Sequence, residues 1–184
     1  MWFDALARVK LSDLVFIDEF GATSNMTRLY ARGPRGKRIV CRTPHGHWKV
    51  LSTIAALNMQ GICAAAIFDT AVDEDIFVAF VAQCLVPQLR AGQWVILDNL
   101  PAHKSRQVDV LIEAAGAKVM RLPAYSPDFN PIEQAISKIK TLLRKRGARS
   151  LIGLSYAIGE ALDSITTTDA LAYMRNAGYA AIGV

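Results

Sequence analysis

Apolar residues fall along this chain in two rhythms. Short unbroken runs come first: 14–17 leads into Asp18-Glu19, and 94–97, preceded by Gly92, leads into Asp98-Asn99. Runs this short and this apolar suit strands buried on both faces, and open α/β sheets gather their chemistry at the C-terminal ends of such strands. The stretch 50–68 carries no charged residue over 19 positions, close to membrane-spanning length, yet Asn58-Met59-Gln60-Gly61 in its middle is turn chemistry. It reads as a hairpin of strands near 48–57 and 62–68 rather than a membrane helix. Residues 28–31 offer one more short strand, within that meander or at its edge.

The second rhythm is helical. Asp73-Glu74-Asp75 opens a helix whose buried side is Phe77, Phe80, Val81, Cys84 and Leu85, with Pro87 near its end. Within 104–115, Val108, Leu111, Ile112 and Ala115 share a face, and Gly116 is the stop signal. Strand 94–97, this helix and strand 118–122 together read as a βαβ unit. The next loop ends in Asn130-Pro131-Ile132-Glu133, which places Asn at the N-cap, Pro at the first helical position and Glu at the third. Ile132, Ile136, Ile139 and Leu143 form the buried stripe, so Glu133, Ser137, Lys140 and Arg144 share a more exposed face. Read locally, Glu133 is close to half of a capping box and gains from the helix dipole. A carboxylate at the head of a basic face equally suits a metal site beside a phosphate track. Helices over 151–165 and 169–177 close the chain before Gly178, and 1–10 is an amphipathic lead-in without the apolar core of a secretory signal.

Antiparallel strands followed by alternating helices and strands predict a mixed α/β layout with helices on the sheet's faces. At 184 residues and 52% hydrophobic, the chain can bury one substantial core, and no repeat or linker divides it. Lysine and arginine number 21 against 16 acids, a surplus that fits an acidic polymer as partner. It concentrates in Arg28, Arg32, Arg35, Lys37, Arg38 and Arg42, and again in Lys138, Lys140, Arg144, Lys145, Arg146 and Arg149. The Gly/Pro turn through Arg32-Gly33-Pro34-Arg35-Gly36-Lys37-Arg38 has a shape suited to phosphates, although either cluster is also readable as a solvated face. Cys41, Cys63 and Cys84 are odd in number and contain no CxxC pair, which excludes a disulfide frame and a zinc site and reads as reduced, cytosolic thiols.

Three acids stand out by position: Asp18, Asp98 and Glu133. Bringing like charges together costs free energy that protonation or divalent cations must offset. Oxygen-only donors on a basic protein favour Mg²⁺ or Mn²⁺, and two such ions about 3.5 to 4 Å apart can act on both oxygens of a phosphodiester exchange. The stretch LVFIDEF alone also looks like a nucleoside-triphosphatase strand. That reading needs a GxxxxGK loop followed by Ser or Thr, and the turn at 33–38 has neither the spacing nor the hydroxyl.

FIDE at 16–19, LDNLPAHK at 97–104 and YSPDFNPIE at 125–133 resemble the DDE transposases of the mariner-like superfamily, specifically its bacterial insertion-sequence branch. The 34 residues between Asp98 and Glu133 match that superfamily's spacing with glutamate in third place. The resemblance implies an RNase H-like fold: a mixed central sheet, antiparallel meander then parallel strands, with helices on both faces. It implies a single catalytic domain over 1–184, with its core about 10–146 and a helical extension over 150–184. It further implies that Asp18, Asp98 and Glu133 bind two Mg²⁺, with Mn²⁺ able to substitute. The implied reaction cuts transposon-end DNA and joins the freed 3′ hydroxyl to target DNA, usually at TA, with no covalent enzyme intermediate. Capping and ligation are compatible, so the resemblance moves Glu133 to the ligand set.

Asn99 and His103 match the DNxxxH pattern, and the resemblance points them at the scissile phosphate or DNA. Lys104, the turn cations Arg32, Arg35, Lys37 and Arg38, and Lys140, Arg144 and Lys145 complete the expected DNA track. Glu19, next to an active acid on a strand, is expected on the opposite face. Family members carry helix-turn-helix modules ahead of this domain, whereas Met1 stands about a dozen residues before the first strand. The expectation is therefore a chain without that module, served by a separately encoded subunit or upstream frame, dimeric on DNA and nucleoid-associated in a bacterial cytoplasm. Two alternatives stay open: a non-catalytic DNA-binding remnant, and a host-adapted metal-dependent nuclease.

Overall fold

Five strands form one mixed sheet whose register brings the two acid-tipped runs side by side. They are β1 (Leu14–Thr23), β2 (Val50–Asn58), β3 (Gly61–Phe68), β4 (Trp94–Leu97) and β5 (Lys118–Arg121), in the order β3-β2-β1-β4-β5. The computed structural model describes residues 2–6, 9–100, 103, 105–124 and 126–179. β1 runs antiparallel to β2, and β2 to β3, while β4 is parallel to both β1 and β5. Phe16 pairs with Ile96 in the parallel ladder, so two further residues on each strand set Asp98 level with Asp18 on one face.

Among the described residues six α-helices cover the sheet: α1 (Trp2–Leu6), α2 (Glu74–Phe80), α3 (Arg106–Ala114), α4 (Ile132–Arg146), α5 (Leu151–Asp163) and α6 (Thr167–Asn176). Leu14, Phe16 and Phe20 of β1 join Ile136 and Ile139 of α4, Ile158 of α5 and Met174 of α6 in one core. Val15 and Ile17 join Phe77 and Phe80 of α2 and Val108 and Ile112 of α3 in the other. Alternate residues of β1 thus feed opposite cores, which is why its apolar run is unbroken.

The uncharged stretch folds back as the β2–β3 hairpin, and among the described residues no helix is long and apolar enough to cross a membrane. At its turn Gly61 has φ +127°, and a Cβ there would stand 2.6 Å from the carbonyl oxygen of Ile165. Gly61→Ala combines a left-handed strain of roughly 1–3 kcal/mol with that collision, so its Tm should fall by about 5 °C or more in a thermal melt. An unchanged Tm would mean the turn relaxes freely.

Several boundaries differ from the sequence reading. No strand forms at 28–31: Leu29 is 66% and Tyr30 90% exposed, and the whole excursion 24–49 lacks regular strand or helix. β1 has no edge to offer it, being flanked by β2 and β4, and the segment joins neither edge strand, β3 nor β5, but stays exposed. The helix opened by Asp73, whose carboxylate accepts the Ile76 N–H at 2.9 Å, continues after Phe80 as a π turn (Val81–Leu85) and a 3-10 turn (Val86–Gln88) containing Pro87. α6 starts at Thr167 rather than 169, since Thr166 and Asp169 form a reciprocal capping box. Lys138 Nζ, 2.7 Å from Asp169, ties α4 to that start.

Candidate active site

The sheet and α4 deliver three acids to one cleft of about 390 Å³. Asp18, on the central strand, is buried. Its Oδ1 accepts the Glu19 N–H at 2.7 Å, and its Oδ2 accepts the side-chain amide of Asn130 at 2.8 Å. Asp98 follows the last residue of β4 and is half-buried. Its Oδ1 accepts the Leu100 N–H at 3.0 Å and lies 2.5 Å from Nδ1 of His103. Glu133, in the first turn of α4, reaches the cleft from the third side and is exposed.

Asp18, midway along β1, and Asp98, just past β4, are driven apart electrostatically. Burial pushes Asp18 from an ordinary 3.8 up to about 7; the Glu19 N–H opposes this, and the charges of Glu133 and Asp98 add to it. Burial also acts to raise Asp98, but the His103 hydrogen bond, the Leu100 N–H and the charges of His103 and Arg121 together hold it below the usual carboxylate range. Near neutrality Asp18 therefore competes for a proton while Asp98 stays ionised, a split that marks functional sites.

An all-oxygen donor set whose most buried member resists ionisation suits a divalent cation, which would replace the proton as counter-charge. Among the described residues no three His, Cys, Asp or Glu side chains are already gathered as a metal cage. The acids line a cleft rather than meet at a point.

The remaining expected residues separate into groups. Asn99 lines the cleft, but its amide donates to the Leu122 carbonyl at 2.6 Å and so ties the ends of β4 and β5 together. His103 is wholly buried with its ring 4.2 Å from that of Phe77, so it offers DNA no surface in this conformation. In this conformation the ring packs on Phe77 and bonds Asp98. Lys104 lies outside the described residues. Arg32, Arg35, Lys37 and Arg38 stand exposed on the 24–49 excursion, while Lys140 and Arg144 are half-exposed and Lys145 exposed on α4. Lys145 also borders a second groove, about 420 Å³, with Arg28, Arg146 and Glu160.

Asn130 is the residue the sequence reading misplaced. Its backbone carbonyl accepts the Glu133 N–H at 3.1 Å, as a helix start requires, yet its side chain caps nothing and binds Asp18 instead. A second support is equally non-local: the Tyr179 hydroxyl donates to the Phe129 carbonyl at 2.8 Å and accepts the Trp2 indole N–H at 3.1 Å. The C-terminal end thus buttresses the loop from which Asn130 reaches Asp18. No spacing rule in the sequence signals either contact.

The sequence model of the DDE superfamily endonuclease matches residues 13–155, a span containing all three acids. The chain belongs to this family. No curated protein matches it in sequence. Among solved structures, the Mos1 transposase paired-end complex with left transposon end superposes with TM-score 0.73 at 18% identity, covering 92% of this chain and 52% of that one. The Mos1 mariner paired end complex with Mn gives 0.70 at 18% identity, covering 93% and 53%. The isolated catalytic domain of Mos1 mariner transposase gives 0.62 at 16% identity, covering 93% and 78%. The DDE endonuclease chain described here thus has the RNase H-like fold of the Mos1 catalytic domain and spans about half the length of the full Mos1 chains.

Proposed function

We propose that this chain is the catalytic domain of a DNA transposase, one that cuts transposon-end DNA and joins the freed 3′ hydroxyl to target DNA. The observation that carries the reading is the convergence of Asp18, Asp98 and Glu133 on one cleft at the C-terminal end of the parallel strands. Two Mg²⁺, or Mn²⁺, held by these acids would supply Lewis-acid stabilisation of the attacking and departing oxygens of a phosphodiester. Mos1 structures with a transposon end, with Mn and with Mg, and a Mos1 strand transfer complex, support both the substrate class and the metal.

The residues themselves divide the work. Asp98 is held ionised, Asp18 would release its proton where a cation took its place, and Glu133 heads the exposed side of α4. Cys63 is not poised as a nucleophile: burial pushes it up to about 11, and its Sγ donates to the Ala56 carbonyl. Arg32, Arg35, Lys37 and Arg38 with Lys140, Arg144 and Lys145 supply the phosphate contacts, in which Asn99, His103 and Lys104 were also expected to share. We assign the chain to the bacterial insertion-sequence branch on its DNxxxH and SPDFNPIE motifs, as a single domain over 1–184. A TA target, a dimer on DNA and a nucleoid setting complete the reading.

The test is cleavage of end-labelled duplex DNA at pH 8 with Mg²⁺, with Mn²⁺ and with a chelator, beside a filter-binding measurement. Nicking that needs the cation, with binding that weakens steeply as salt rises, is the expected pair of results. Salt-sensitive binding without nicking under any cation would instead support the non-catalytic reading.

A further inference from the structure

Asp98 is held differently from Asp18, and the difference points to a residue that prepares the site. Both oxygens of Asp18 accept N–H donors. Among the described residues both donors to Asp98 act on Oδ1, which leaves Oδ2 to the cleft. The stronger constraint is His103. Its ring is 0% exposed and stacked 4.2 Å from Phe77 at 33°, so it cannot swing without opening the core between α2 and β1. Its backbone is fixed as well: the N–H donates to the Leu100 carbonyl at 3.0 Å, and its carbonyl accepts Arg121 Nη2 at 2.7 Å. The same Arg121 nitrogen is anchored by Asp109 at 2.7 Å.

A buried imidazole ordinarily finds partners for both nitrogens. Among the described residues Nε2 of His103 has none, and Oε2 of Glu19 is likewise buried and unpartnered. Glu19 sits on the face of β1 opposite Asp18, with Val15 and Ile17, and feels the charge of His103. The ring therefore lies between two acids of the FIDE and LDN motifs, donating to one and facing the field of the other.

We propose that His103 is a positioning residue that locks Asp98 in a single rotamer with Oδ2 presented to the cleft, so that the cation site is pre-formed on this side before DNA arrives. This rests on the reading of Asp98 as a cation ligand. It departs from a DNA-contacting role for the DNxxxH histidine, and it assigns that histidine the oriented-carboxylate task seen behind metal ligands generally.

The experiment compares Mn²⁺ affinity, by calorimetric titration at pH 8, in the wild-type chain and in His103→Asn, His103→Gln and Asp98→Ala, with a thermal melt of each. Asparagine places an amide N–H where Nδ1 stands; glutamine carries its amide one bond further, towards Nε2. The expectation is a Kd within about threefold of wild type for His103→Asn and weaker by about tenfold or more for His103→Gln, at matched Tm. Equal affinities for the two variants, while Asp98→Ala loses binding, would overturn the positioning role alone. An Asp98→Ala variant that binds Mn²⁺ like the wild type would overturn the ligand reading beneath it, and the positioning role with it.

Discussion

Exchanging Asp18 for asparagine should stabilise the metal-free domain at pH 8 while abolishing tight cation binding. Asp18 is raised from 3.8 to about 7 in the fold, first by burial and then by Glu133 and Asp98. Below pH 3.8 it is protonated whether the chain is folded or not, and costs nothing. Between 3.8 and about 7 the unfolded chain gives up the proton while the folded one keeps it, so stability falls as pH rises. Above about 7 the whole cost, roughly 4 kcal/mol, is in place. Asparagine removes that cost, and it can still accept one of the two N–H donors. The other donor is Asn130, whose buried and unpartnered Oδ1 can turn to accept the new amide. The melt should show Asp18→Asn above wild type at pH 8 by about 5 °C or more, with the difference shrinking toward pH 5. A variant less stable than wild type at pH 8 would mean that Asp18 is not a strained acid.

The second large effect concerns cleavage. Asp98→Ala and Glu133→Gln should each reduce cation-dependent nicking on the order of a thousandfold or more, while leaving DNA binding within about threefold. Their stabilities should nevertheless diverge. Asp98→Ala leaves Nδ1 of the buried His103 without its acceptor, a loss of about 1–3 kcal/mol. Glu133 is exposed and makes no side-chain bond among the described residues, so Glu133→Gln should melt close to the wild type, raised only slightly because one charge opposing ionisation of Asp18 is gone. Three substitutions that silence one reaction would thus move Tm differently: clearly up for Asp18→Asn, down for Asp98→Ala and little for Glu133→Gln. Misfolding cannot mimic that pattern. Residual nicking at wild-type rate in either Asp98→Ala or Glu133→Gln would remove that acid from the catalytic set.

The pattern of apolar runs carried much of the fold. The acid-tipped runs became adjacent parallel strands, the Asn58–Gly61 turn became the hairpin, and Ile132, Ile136, Ile139 and Leu143 became the buried stripe of α4. These features are local, and hydrophobic period expresses them directly. The failures share a cause of the opposite kind. Arg28 to Ala31 has strand-like composition, but a strand needs a partner, and this segment lies exposed outside the five-stranded sheet. Asn130 carries an N-cap signature, but its side chain is captured by Asp18, 112 residues away in sequence. Likewise, nothing near His103 in the sequence announces Phe77 as its neighbour. The three acids could be found from motif and spacing; the side chains that tune them could not.

The most direct measurement is a calorimetric titration of Mn²⁺ into the purified chain and its Asp98→Ala variant, repeated from pH 5.5 to 8.5. The account expects saturable binding of about two ions per chain. Affinity should tighten by about tenfold per pH unit below about 7, where Asp18 gives up its proton, and level off above it. Asp98→Ala should weaken or remove it. Absence of saturable binding in the intact chain, or binding indifferent to Asp98, would contradict an assembled two-cation site and leave the cleft as the vestige of one.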